Sequence, residues 1–259
     1  MGTSSLQRSP STPEWERVRE LYRRPDPDPH QVLARIVRAL DPDTRAGLSD
    51  AAVTCCLDHL LEGAVVAATG DLAALYTDPN LVQQAAAVGL AAGLRQVAED
   101  DIIARLIASR FGDLALDALG TTVLETADNI SGITSILQVT YPSLQSHFAG
   151  FYNESRLHDL GGSFLSHDFD HVFRYFVARD ISDFVGTEAL PTVSSSAILQ
   201  DRIAHTCRSI TQKVNLADSE DLLHQALGQT EASLRSRMLQ SVFGRATDLA
   251  LRALTDAGE

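Results

Sequence analysis

The chain marks the starts of helices repeatedly and the starts of strands nowhere. Thr12-Pro13 and Asp28-Pro29 each pair a side-chain oxygen that can cap a helix with a proline at the first helical position. Proline fits there because its fixed φ is already helical and its missing N–H would have had no intrahelical partner. Glu14 and Glu16 add negative charge at the positive end of the helix dipole, which predicts a first helix over about 13–24. After Pro29, the residues Val32, Leu33, Ile36, Val37 and Leu40 share one face at helical spacing. No segment alternates apolar and polar residues as a half-buried strand would. The predicted fold class is all-α: a compact multi-helix bundle or orthogonal helical array without significant β-sheet.

The breaks between helices are equally legible. "RRPDPDPHQ" and "LDPDTRAGLSD" interrupt the chain before an alanine-rich stretch at 50–69. Residues 1–12 are predicted to be a disordered tail, 13–140 an Ala-rich helical region, and 141–259 an aromatic-rich helical region ending in amphipathic helices, the whole forming one compact domain. Small residues at 85–87, 89 and 91–93 would let helices approach closely. "DPNLVQQAAAVGLAAGL" resembles the second helix of a HEAT-type repeat, but a seventeen-residue match and a "GDLA" echo at 70 and 112 do not make a repeat array. "GTEALPTVSSSA" reads as a linker ending in N-cap residues. A closing helix or helix pair is predicted over about 218–255, with Leu223, Leu227, Leu234, Met238, Val242, Ala246, Leu249 and Ala253 as its apolar stripe.

Charge limits the partners. The net charge is −13, and Lys213 is the only lysine among 21 basic residues. An acidic surface repels phosphate backbones and anionic lipid, so neither nucleic acid nor a membrane is expected as partner. Cys55, Cys56 and Cys207 form neither a disulfide framework nor metal knuckles, and helical spacing would bury Cys55 and Cys56 as small hydrophobes. The first dozen residues lack the apolar core of a secretory signal, which predicts a soluble, cytoplasmic protein.

The chemistry concentrates in "RLHDLGGSFLSHDFDHVFRYF", residues 156–176. His167 and His171 stand at i and i+4, where two neutral imidazoles can chelate one ion, and His158, Asp159 or His147 would supply a third ligand. Such a set suits a divalent metal such as zinc, iron or manganese. A simpler account needs no metal. It buries Phe169, Val172, Phe173, Phe176, Val177, Ile181 and Phe184, and leaves His167, His171 and Arg174 on the polar side. It adds surface pairs Asp170–Arg174 and Arg179–Asp183, and a helix start capped by Ser166 or Asp168. A preceding helix would end at Leu160 before Gly161-Gly162.

"RLHDLGG" resembles the His-Asp dipeptide of the HD-domain metal phosphohydrolases, an all-helical family. The resemblance covers seven residues and implies a further histidine upstream and a later aspartate. The nearest upstream histidine is His147, and Asp201, Asp218 and Asp221 follow. Elsewhere, Asp100-Asp101 reads as a polar turn and His59 as a hydrogen-bonded core histidine. No glycine-rich phosphate loop, HExxH or GxSxG occurs.

Ten of the fifteen aromatic residues lie between Tyr141 and Phe184, which marks that segment as a structural centre or the lining of a pocket near Tyr152, Phe164 and Tyr175. The function expected from the sequence is a helical interaction or regulatory protein that binds a protein partner or a second copy through apolar helix faces. The alternatives are a metal-binding helical enzyme and a small-molecule sensor.

Overall fold

A computed structural model of the chain describes residues 12–130 and 135–259. Its helices are α1 (Pro13–Tyr22), α2 (Pro29–Ala39), α3 (Pro42–Gly47), α4 (Ala51–Thr69), α5 (Leu81–Gln84), α6 (Ala86–Ala104), α7 (Gly112–Asp128), α8 (Tyr141–Asn153), α9 (Leu157–Ile181), α10 (Val193–Thr211), α11 (Glu220–Leu227) and α12 (Ala232–Asp256). Among the described residues there is no sheet, only an isolated bridge between Val185 and Leu190. The protein is all-α, as its helix-start signals predict. Of the predicted tail, only Thr12 falls within the described residues.

Contacts group the described chain into two units. One takes residues from Met1–Asp43, Phe169–Val214 and Asp248–Glu259, the other from Thr44–Asp168 and Asn215–Thr247. Each draws on residues from both sides of position 140.

In the first unit the two proline starts form as predicted. The Trp15 amide donates to Thr12 Oγ1 at 3.3 Å, and the His30 amide to Asp28 Oδ1 at 3.0 Å. These caps fix the phase of α1 and α2, which pack together, while α2 also packs on α10. Val32, Leu33, Ile36, Val37 and Leu40 are all buried. Trp15 meets Phe176, and Tyr22 meets Phe184, each with ring centroids 5.8 Å apart. Asp170 accepts from Arg174 at 3.1 Å and from Arg208 at 2.7 Å. The expected Asp170–Arg174 pair therefore forms, around a carboxylate only 3% exposed. Arg179, expected on the surface, has a side chain 4% exposed that lies 5.0 Å over the Trp15 ring. Flat, weakly hydrated guanidinium groups tolerate such stacking.

In the second unit α4 packs against α6, α7 and α8. Val53, Cys56, Leu57, Leu60, Leu61 and Ala64 on α4 are fully or almost fully buried. Close approach depends on Gly93, where an added Cβ would run into the Leu75 carbonyl oxygen. By composition the stretch Pro42–Thr69 is long and apolar enough to cross a membrane, and 61% of its most apolar window is buried inside the protein.

Two local expectations are corrected. Gly161-Gly162 does not end a helix, and Ser166 and Asp168 do not begin one, because α9 runs unbroken from Leu157 to Ile181. Each interior glycine costs about 1 kcal/mol. Burial of Leu160, Phe164 and Leu165, each at most 1% exposed, outweighs that cost. The second correction concerns the C-terminal stripe. α11 and α12 form the expected pair, and Leu223, Val242 and Ala246 of the expected stripe are buried, but Leu239, Phe243, Ala250, Leu251 and Leu254 are buried beside them while Leu249 is 47% exposed. Phe243, which packs on Phe164 at 5.6 Å, sets the inward face.

Candidate metal centre

The start of α4 is held by Asp50. Its Oδ1 accepts from the amides of Ala52 and Val53 at 2.9 and 3.1 Å, and its Oδ2 accepts from Ser109 Oγ at 2.6 Å. This cap fixes the rotation of α4, and so the direction of Cys55 and His59, which share a face at i and i+4. Near its C-terminal end, α6 brings Asp101 to that face.

Three groups converge on one oxygen. Cys55 Sγ donates to Asp101 Oδ2 at 3.3 Å, His59 Nε2 lies 3.3 Å from the same atom, and Arg105 reaches it at 2.7 Å. Ligand atoms of Cys55, His59 and Asp101 all lie within 4.8 Å of one another. Around a tetrahedral zinc with bonds of about 2.0–2.3 Å, neighbouring donors stand about 3.5 Å apart. Two edges of this triangle are already near that length.

Charged side chains flank the donors. His59 Nδ1 lies 3.8 Å from Glu62 Oε2, and Arg235 donates to Asp58 at 2.6 Å and approaches Glu62 at 3.4 Å. At 3.8 Å the Glu62 carboxylate places negative charge near the far ring nitrogen of His59 without a hydrogen bond to it. Cys55 is 6% exposed, and the side chains of His59 and Asp101 are 16% and 23% exposed, so the group lies beneath the surface but within reach of solvent.

Electrostatics make the cluster a resting hydrogen-bonded set. Burial, followed by the hydrogen bond to Asp101, pushes the Cys55 thiol up to about 12, so it is protonated and inert as a nucleophile at neutral pH. Burial alone would raise Asp101, but the hydrogen bonds from Cys55 and His59 and the charge of Arg105 outweigh it and hold that carboxyl below its usual range. Burial raises Asp58 against the opposing pull of Arg235. A thiol, an imidazole and a carboxylate can hold a divalent cation once the thiol proton is displaced.

The residues singled out in the sequence occupy other settings. His158 Nδ1 lies 2.7 Å from Glu220 Oε2, and Glu220 also accepts from the Leu157 and His158 amides at 3.1 and 2.8 Å. The His-Asp dipeptide thus sits at the capped start of α9, with Asp159 bound to Arg156 at 2.9 Å. His147 meets the Phe151 ring edge-on at 5.4 Å, and burial followed by the charge of Arg156 lowers its pKa. His167, expected beside the polar face, is 1% exposed and faces Glu125 of α7. His171 is half-buried on the same helix.

The three proposed pocket rings have separate neighbours. Phe164 packs on Phe243, Tyr152 on His224 at 5.0 Å, and Tyr175 on Phe176 at 5.8 Å. Asp168 is the most unusual of the buried polar groups. It is 0% exposed, and neither of its carboxylate oxygens has a hydrogen-bond partner among the described residues. Burial, then the charge of Asp50, pushes its pKa well above the carboxylate range.

Sequence reasoning missed the Cys55–His59–Asp101 group because it treated each member separately, as a small hydrophobe, a core histidine and a polar turn. The Cys-x-x-x-His spacing was the available signal. Comparison with known proteins supplies no assignment, since no protein-family model, curated protein or solved structure matches the chain.

Proposed function

We propose that the chain is a metal-binding helical protein in which Cys55, His59 and Asp101 hold one divalent cation, with zinc the best match to the donor set. The observation that carries this reading is the meeting of three donors from two helices, two of them already 3.3 Å from the third. Zinc is favoured because it takes thiolate, imidazole and carboxylate together, whereas magnesium and calcium favour oxygen donors. On binding, the Cys55 proton leaves to solvent and Arg105, whose side chain is 45% exposed, swings off Asp101. Three protein ligands leave a fourth position for water or a ligand, the pattern of sites that act on something rather than only staple a fold.

The test is zinc affinity by chelator competition, on the wild type and on Cys55→Ser, His59→Ala and Asp101→Asn. One tight equivalent, lost or weakened at least tenfold in each variant, supports the assignment. Unchanged affinity in all three overturns it. Loss confined to His167→Ala with His171→Ala would move the metal to the set read from the sequence.

A second reading, a protein-interaction module, draws on Ile103 and Leu106. They are 62% and 88% exposed on the segment that carries Asp101, and Leu106 is held at φ +53°. A large apolar side chain presented to solvent from a strained backbone position suits a contact surface. Light scattering tests self-association there: a dimer that Leu106→Asp dissociates supports it, and a strict monomer opposes it.

A further inference from the structure

A cleft lies within the first unit, and none of the candidate metal ligands lines it. Arg17 and Arg24 from the α1 side and Arg35 and Arg38 from α2 line a cleft of about 280 Å³, with Glu20 and Gln31 between them. Four guanidiniums in one cleft stand out on a chain of net charge −13. The side chains of Arg17, Arg24 and Arg35 have no hydrogen-bond or ion-pair partner among the described residues. Arg38 binds Glu259 Oε1 at 2.6 Å. The segment that brings Glu259 there lies tight on α2, since a Cβ on Gly258 would stand 2.7 Å from the His30 carbonyl oxygen. One of the four cationic positions, Arg38, is thus already paired with a carboxylate of its own chain.

We propose that this cleft binds a small hydroxylated phosphate monoester. With Glu20 in the lining and Glu259 on Arg38, the four guanidiniums leave two positive charges, the complement of a phosphomonoester near pH 7. Guanidinium forks match phosphate oxygens in pairs, and three of them are free to do so. Glu20 has no partner among the described residues and can accept from a sugar hydroxyl, while Gln31 can donate or accept. No aromatic ring lines the cleft, which removes the stacking surface a nucleobase would use. The volume is at the lower end of small-molecule sites and suits a ligand of sugar-phosphate size. The strongly acidic whole favours a soluble phosphate over the same headgroup on an anionic bilayer.

The test uses the full chain in low-salt buffer, with isothermal titration of glucose 6-phosphate, glucose, inorganic phosphate and sulfate, and sedimentation with phosphatidic acid vesicles. The expected result is saturable binding of glucose 6-phosphate, weaker binding of inorganic phosphate and none of glucose. Arg24→Gln with Arg35→Gln should weaken it by about tenfold or more, from the loss of charge-assisted bonds. Glu259→Gln, which frees Arg38, should strengthen it several-fold, a gain that a merely structural role for these arginines would not produce. Equal affinity for sulfate and glucose 6-phosphate would leave a general anion patch and overturn the proposal. So would binding to vesicles without binding to the soluble ester, or indifference to both substitutions.

Discussion

Asp168→Asn isolates the physical cost of a buried carboxyl that has no hydrogen-bond partner among the described residues. Asp168 is fully buried with both oxygens unpartnered, and the nearby charge of Asp50 further disfavours its ionisation. Asp50 cannot relieve it, because its own oxygens accept from Ala52, Val53 and Ser109. The folded pKa is therefore raised, against about 3.9 in the unfolded chain. A raised pKa means the folded state holds a proton that the unfolded state releases. The stability tied to that proton is fully present below about pH 3.9 and is lost as pH rises towards the folded pKa.

The loss is about 1.4 kcal/mol for each pH unit in that window. Asparagine keeps the shape, stays neutral at every pH, and leaves a similar unsatisfied polar group of about 1–3 kcal/mol in the fold. The variant should therefore gain on the wild type steadily from pH 4 upwards, by about 1.4 kcal/mol per unit until the folded pKa is passed. Urea unfolding of both proteins at pH 5, 6 and 7 measures this difference. Parallel pH profiles for the two proteins would refute the reasoning, because they would mean that Asp168 titrates alike in the folded and unfolded chains.

Other outcomes follow from the same geometry. Gly93→Ala should destabilise by about 1–3 kcal/mol, read as a lower urea midpoint, because its methyl group would overlap the Leu75 carbonyl. Zinc affinity should rise about tenfold per pH unit between pH 6 and 8 if one proton leaves per ion, since the Cys55 thiol stays protonated up to about 12. Without metal, that thiol should react with iodoacetamide far more slowly in the folded protein than in urea.

Local physics explains what the sequence disclosed. Caps at Thr12 and Asp28 are hydrogen bonds across two or three residues, so the local sequence alone locates the starts of α1 and α2. The stop expected at Gly161-Gly162 failed because its outcome depends on what α9 packs against, and Phe164 and Leu165 bury too much for the helix to break there. Nor does α9 have a dry and a wet face along this stretch: Ser166, His167, Asp168 and Asp170 are buried along with the phenylalanines. Any assignment of its histidines to solvent from periodicity alone was bound to miss that. Of the three candidate ligands, Cys55 and His59 carry a local signal in their one-turn spacing, though each was read alone. Asp101 carries none, because it arrives from α6 by tertiary packing and nothing near it in the chain marks it as a ligand.

Cobalt(II) titration of the purified protein tests the metal assignment most directly, because thiolate ligation to cobalt gives its own near-ultraviolet charge-transfer band. On that assignment this band should grow to one equivalent and be absent in Cys55→Ser. Cobalt that binds without the band, or a band that survives Cys55→Ser, would contradict it.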